Sequence, residues 1–394
     1  MSTQLSLRRT AVRRRWLPAI GFVVAICGSP GGAHAAAYTP SNDSDVLASV
    51  PAGARHAELA TRRMARERID VALPLAQLYI KQARATGDLR FLGYADAMLE
   101  AWVGPGATSA QALVLHATVL QSRHEFSQAL DVLHQALALR PDDPQAWLTS
   151  ATVLRVLGRF DESMAACDEV ARRAQEAITQ LCRQGLYGLR GQLPSAYARI
   201  AQISSQDMPN DERAWRDSEL GEMAVRLGMD GAAEHWFQNG LRFSPDDFYI
   251  RAAYADLLLR NARPREALAL LQGRESLEPL LLRIAIAQKM LHAPGLEQSR
   301  SRLGAAFAAE TERGDSVHRR EESRFLLEVE ARPQPALRAA LANWTAQHEV
   351  EDVLALLRAA YAADAPEAAR PALEFVRTHG IQDVRIKAAL DSRT

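Results

Sequence analysis

The chain is nearly devoid of lysine. Of its 47 basic residues only Lys81, Lys289 and Lys387 are not arginine. Nor is there any surplus of one charge, since 47 acidic residues balance the 47 basic ones. A nucleic-acid binder needs a basic face to displace counterions from phosphates, so this balance argues against that class. Aromatics are scarce at 6% and β-branched residues are sparse, which disfavours sheet. The one pronounced apolar stretch, Trp16 to Cys27, is too short to span a bilayer, which takes about 20 residues. No H-E-x-x-H, G-x-S-x-G or P-loop occurs, and no G-x-G-x-x-G opens a helix, so those enzyme signatures are missing. What is abundant is alanine: 71 of 394 residues, the best helix former. With 48% hydrophobic and 24% charged residues the chain has the makeup of a folded, mainly helical protein. The arginine-for-lysine bias matches the coding bias of a GC-rich bacterium.

Residues 1–35 read as an address. They hold Arg8, Arg9, Arg13, Arg14 and Arg15 with no acid, then the apolar run, then Ala33-His34-Ala35. A basic head, a short apolar segment and an A-x-A site make a secretory signal peptide, with cleavage expected after Ala35. In a bacterium the destination is the periplasm. The five departing arginines leave an exported chain of net charge −5. A polar lead-in covers 36–51, and the fold is expected to begin near Ala52.

A 34-residue period organises the middle of the chain. In 110–143 the residues Leu113, His116, Ala117, Leu120, Ala129, Leu133, Ala136 and Pro141 fall at repeat positions 4, 7, 8, 11, 20, 24, 27 and 32. Further units start at Pro144, near Ala177, at Ala214 (with Leu220, Gly221, Ala233, Phe237 and Pro245) and at Phe248 (with Ala255, Leu258, Ala267, Leu271 and Pro279). Positions 8 and 20 are small where two helices cross, and Pro at position 32 stops one helix before the next. This pattern resembles the tetratricopeptide repeat, whose consensus there reads W-L-G-Y-A-F-A-P. The resemblance covers 110–279. It implies an all-α fold, an α-solenoid of helix-turn-helix repeats wound as a right-handed superhelix. Residues 52–109 and 280–394 keep the helical punctuation without the consensus and read as divergent repeat-like helices. Helices are expected at about 54–68, 70–84 and 89–102, and downstream at 278–291, 295–312, 316–330, 335–347, 350–363 and 366–379.

Outside the repeat logic little chemistry stands out. His116 takes a position normally held by Leu and reads as a packing histidine. Asp142-Asp143 and Asp246-Asp247 sit at inter-repeat turns and read as helix caps rather than paired catalytic carboxylates. No metal, cofactor or catalytic residue is assigned. Cys167 and Cys182 are equidistant from the turn near 173–175 that joins their helices, which puts them level with each other. A disulfide closing about 15 residues and a pair of buried thiols are both compatible with that placement.

Tetratricopeptide arrays take a partner segment in their concave groove. The resemblance places groove residues on the first helix of each unit: Gln111 and Thr118, then Gln145, Thr152 and Arg155, then Trp215 and Glu222, then Tyr249 and Asp256. Trp215 and Tyr249 occupy equivalent positions and would serve as aromatic anchors. The groove has no Lys and no Asn, which excludes the carboxylate clamp of chaperone-binding repeats. The expected function is a non-catalytic periplasmic scaffold or adaptor for a protein or peptide partner in envelope assembly or export. The alternatives are a subunit of an outer-membrane polysaccharide-export or protein-assembly machine, and a cytoplasmic regulator or an enzyme with a cryptic C-terminal site.

Overall fold

Apolar stripes at helical spacing, punctuated by Gly, Pro and Asp turns, build twenty α-helices among the described residues and no strand. The computed structural model describes residues 52–313 and 318–391. The expected signal peptide (1–35) and lead-in (36–51) lie outside the described residues. A leading helix α1 (Ala52–Glu67) precedes the pairs. These are α2 (Ile69–Thr86) with α3 (Arg90–Leu99), α4 (Ala110–Ser122) with α5 (Phe126–Leu139), and α6 (Pro144–Val156) with α7 (Phe160–Ala171). Next come α8 (Glu176–Leu189) with α9 (Leu193–Ala201), α10 (Asn210–Leu227) with α11 (Asp230–Phe243), and α12 (Phe248–Arg260) with α13 (Pro264–Leu271). The last are α14 (Glu278–Leu291) with α15 (Leu296–Arg313), α16 (Arg319–Arg324) with α17 (Pro333–Trp344), and α18 (Val350–Ala362) with α19 (Arg370–His379) and α20 (Val384–Asp391).

The repeat positions do what their residue types require. The Asp143 carboxylate accepts from the Gln145 and Ala146 amides at 3.0 Å, and Asp247 accepts from the Ile250 amide at 3.0 Å. Both acids therefore cap helix N-termini, as their place in the turn predicts. Gly221 is small because Phe237 lies against it: a Cβ there would come within 2.4 Å of the ring. Two downstream expectations need correction. The described part of the expected helix 316–330 is not one regular helix, since α16 gives way to a π-helical turn at Phe325–Val329. A further helix, α20, follows the expected last one.

Even-numbered helices from α4 to α14 contact one another in succession, as do α16 and α18, and they form a continuous inner layer. The array then closes on itself. The His348 amide before α18 donates to the Val156 carbonyl at the end of α6 (2.8 Å), and the Leu193 amide donates to Gln382 Oε1 (3.0 Å). Phe375 on α19 packs on Phe160, with ring centroids 5.6 Å apart. On the same seam Gly191 (φ +77°) faces Gly380 (φ +67°), and a Cβ on Gly191 would lie 3.3 Å from the Gly380 carbonyl oxygen. On the other side α2 reaches α12, and Leu277 fills the space beside Gly87. The inner face is thus a wall shared by the repeats and the C-terminal helices, where the resemblance implied a concave groove lined by the repeats. Among the described residues no helix is long and apolar enough to cross a membrane.

Candidate functional site

Four of the nine expected groove residues converge on this inner wall. Arg155 on α6 pairs with Glu219 on α10 at 2.7 Å. Glu222, one turn further along α10, hydrogen-bonds the Tyr249 hydroxyl of α12. Asp256 on α12 meets two guanidinium groups, Arg283 on α14 at 2.7 Å and Arg324 on α16 at 2.9 Å. The inward register of the repeat sets these positions, because residues three and four apart share one helix face.

The wall is strongly electrostatic. Burial and the neighbouring Glu219 push the Glu222 carboxyl up to about 7, against the pull of Tyr249 and Arg155. Burial would also raise Asp256, but Arg283 and Arg324 outweigh it and hold this carboxyl below the usual range. The Arg155 guanidinium is held charged chiefly by Glu219. Tyr249 keeps 46% of its surface accessible, although protein surrounds it closely enough for burial and the Glu222 and Glu349 charges to raise its hydroxyl pKa.

The remaining groove residues take other roles. Thr118 and Thr152 turn their hydroxyls back onto the Val114 and Leu148 carbonyls of their own helices (2.9 and 3.0 Å). Gln145 donates to Thr149 Oγ1 at 3.2 Å, and Gln111 is exposed at the start of α4. Trp215 differs from its equivalent Tyr249. It is half-buried against the cluster of Leu181, Ile200 and Leu220, because the long helix α10 begins at Asn210 and lays its first turns on α8 and α9. Its ring is packing rather than a free anchor.

The sequence reading missed the C-terminal contribution to the wall. Arg320 on α16 approaches Glu349 and the fully buried Asp352 at 3.0 and 3.2 Å. Burial, opposed mainly by Arg320, pushes the Asp352 carboxyl up to about 6. Glu351 on α18 keeps an exposed side chain and pairs with Arg385 on α20 at 2.7 Å. Arg226 on α10 reaches both the Gly188 and Gln382 carbonyls and so ties α10 to the closing segment. The dense charge of 319–324 (Arg-Arg-Glu-Glu-Ser-Arg) was the available signal. A six-residue charged run ordinarily marks a solvated face, and here it is the inner one.

His116 is half-buried, with its Nδ1 3.0 Å from Asp96, which also binds Arg123 at 2.6 Å. Cys167 on α7 and Cys182 on α8 are both buried and disulfide-bonded, with Cα atoms 5.7 Å apart.

With this geometry in place, residues 120–184 match the tetratricopeptide repeat family model. The chain carries tetratricopeptide repeats. Similar solved structures include PilW, a type IV pilus biogenesis factor, at 16% identity over 50% of this chain and 94% of that one (TM-score 0.40). A tetratricopeptide repeat protein of Parabacteroides merdae is 11% identical over 75% and 99% of the two chains (TM-score 0.36). Human IFIT1 is 12% identical over 83% and 85% (TM-score 0.45). With TM-scores this low, none of them bears on function. No curated protein matches the chain.

Proposed function

We propose that the protein is a non-catalytic scaffold that holds an extended segment of a partner protein against the inner wall formed by Arg155, Glu222, Tyr249 and Asp256. The observation that carries this reading is Tyr249. A tyrosine with 46% of its surface accessible, on the inner face and beside an acid, is an anchor awaiting a partner. The repeat architecture supports the same role, since stacked helix pairs generate extended binding surfaces without needing a catalytic pocket. We further read residues 1–35 as a cleaved signal peptide and the site of action as a bacterial periplasm, in envelope complex assembly or export. The disulfide-bonded Cys167 and Cys182 suit an oxidising compartment.

The test is a site-specific photo-crosslinker placed at Tyr249 in living cells, with Tyr249→Ala as a paired variant in affinity capture. One specific crosslinked protein, absent from capture by Tyr249→Ala at unchanged thermal stability, is the expected result. Loss of stability equal to the loss of capture would make Tyr249 a packing residue. N-terminal sequencing of the mature protein tests export, and a start at Ala36 is expected.

A further inference from the structure

The other carboxylates of the inner wall each have an arginine. Glu219 meets Arg155 at 2.7 Å, Asp256 meets Arg283 and Arg324, Glu349 and Asp352 meet Arg320, and Glu351 meets Arg385. Glu222 differs. It enters no ion pair among the described residues, and its partner is the Tyr249 hydroxyl. Arg155 lies near enough to favour its charge, but that guanidinium is committed to Glu219. Arg226 on the same helix donates to the Gly188 and Gln382 carbonyls. A hydroxyl uses one acceptor site of a carboxylate that has about four, so most of the capacity of Glu222 is left over.

The neighbouring ring is left over too. Tyr249 keeps 46% of its surface accessible. The arginines that stack on rings lie elsewhere: Arg213 on Phe243 at 5.2 Å and Arg216 on Trp236 at 5.6 Å. An electron-rich face beside a carboxylate without a cation of its own attracts a guanidinium or ammonium group through both at once. Other occupants fit worse. An acidic group would face Glu219, Glu222 and Glu349 together. An apolar one would strip the remaining water from half-buried Glu222 and put no hydrogen bond in its place.

We propose that the partner segment presents a basic side chain, arginine in preference to lysine, that lies on the Tyr249 ring and pairs with Glu222. Arginine is preferred because its planar guanidinium stacks on an aromatic face and grips a carboxylate with two N–H groups. The assignment builds on the inner wall as the partner surface and adds the chemistry which that surface selects.

The pairing has a pH signature. The groups facing Glu222 are Glu219 and Arg226 on α10, Arg155 on α6, Tyr249 on α12 and Glu349 ahead of α18. Burial, then Glu219, raises the free Glu222 carboxyl to about 7. A basic group binds the ionised form. Affinity should therefore rise about 10-fold between about pH 6 and about pH 8, as the ionised fraction of Glu222 grows.

The test uses the full chain as bait for a phage-displayed library of random short peptides. Selected peptides are then synthesised and measured by fluorescence anisotropy. Those that bind wild type and not Tyr249→Ala define the wall-binding set. They are expected to share a basic residue whose change to Ala costs at least about 10-fold in affinity for wild type and clearly less for Glu222→Gln, because the two groups are coupled. The rise in affinity with pH should vanish in Glu222→Gln, whose melting temperature shows that it is folded. A wall-binding set without a common basic residue overturns the assignment while the scaffold reading stands. So does a basic residue whose loss costs the same against wild type and Glu222→Gln. A selection that yields no peptide dependent on Tyr249 overturns both.

Discussion

Arg155 and Glu219 meet at 2.7 Å although 64 residues separate them in sequence. The pair passes over α8, and Gly185 makes room for it: a Cβ there would lie 3.2 Å from Arg155 Nη1 and 3.5 Å from Glu219 Oε2. Glu219 keeps only 9% of its side chain accessible, so removing its partner strands a buried charge beside Glu222. Arg155→Ala should therefore cost about 2–4 kcal/mol in chemical denaturation, the lower end reflecting solvent that still reaches Arg155. The double variant Arg155→Met with Glu219→Met should recover most of that loss, because two apolar groups need no pairing. A double variant no more stable than Arg155→Ala alone would show that the pair itself, not the stranded charge, sets the cost.

Glu222 should act against stability at high pH. Its carboxyl is pushed up to about 7 from an ordinary 4.5, chiefly by burial and then by Glu219. An acid with a raised folded pKa holds its proton in the native state while the unfolded chain releases it. Its contribution therefore declines as pH rises from the unfolded value through 7. Glu222→Gln keeps the shape and removes the charge. The variant should match wild type in mild acid and exceed it by roughly 1–2 kcal/mol above neutrality, a figure discounted for the partial exposure of Glu222. Urea titrations at a series of pH values read this directly, and parallel curves would exclude it. The same variant should weaken partner capture, which would make Glu222 a residue retained for binding at some cost in stability.

Much of this was legible from spacing alone. The 34-residue period located the helix pairs and the caps at Asp143 and Asp247, while the groove positions Arg155, Glu222, Tyr249 and Asp256 come from the resemblance to the tetratricopeptide repeat. Period tells which face of a helix looks inward. It does not tell how far each unit rotates on the last, and that small rotation, accumulated along the array, decides whether a solenoid stays open or closes. The contact of His348 with Val156 follows from closure, and the guanidinium partners Arg283, Arg320 and Arg324 lie beyond the regular repeats, so none of them carries a repeat signature. Trp215 shows the same limit at one residue. It shares a repeat position with Tyr249, but it packs on the cluster of Leu181, Ile200 and Leu220.

The Cys167–Cys182 bond joins α7 to α8 across a sequence separation of 15. In the chain-entropy account a loop of that length stabilises the folded state by about 3 kcal/mol. Cys167→Ser with Cys182→Ser should lower the free energy of unfolding by about that amount, and reductant should bring the wild type down to the same value. The consequence is local first, because α7 also bears Phe160, the ring on which Phe375 closes the array. Non-reducing peptide mapping that recovers both thiols free from freshly purified protein would remove the bond from consideration.

The closure seam should weaken in acid. Phe375 sits between Phe160 and two imidazoles, with His379 at 4.6 Å and His348 at 5.5 Å between ring centroids, and Trp344 completes the cluster. Burial holds both histidines below the ordinary 6.5, helped by Arg190 at His379 and by His379 at His348, while the Leu157 backbone and Asp161 pull the other way. Both rings are thus neutral in the closed array, whereas the unfolded chain takes up protons at 6.5. The stability they allow is complete above that value and is lost as pH falls below it toward the folded pKa. Hydrogen exchange should show this in α19 and α20 specifically, with protection at residues 370–391 falling between neutral and mildly acidic solution while α4 to α7 hold theirs. Phe375→Ala should produce the same loosening at neutral pH and cost about 2–4 kcal/mol, less than a fully buried ring because Phe375 is only partly buried. Protection that is equal at the two pH values would mean that the contacts of Gln382 and Arg226 hold the array shut without the aromatic seam.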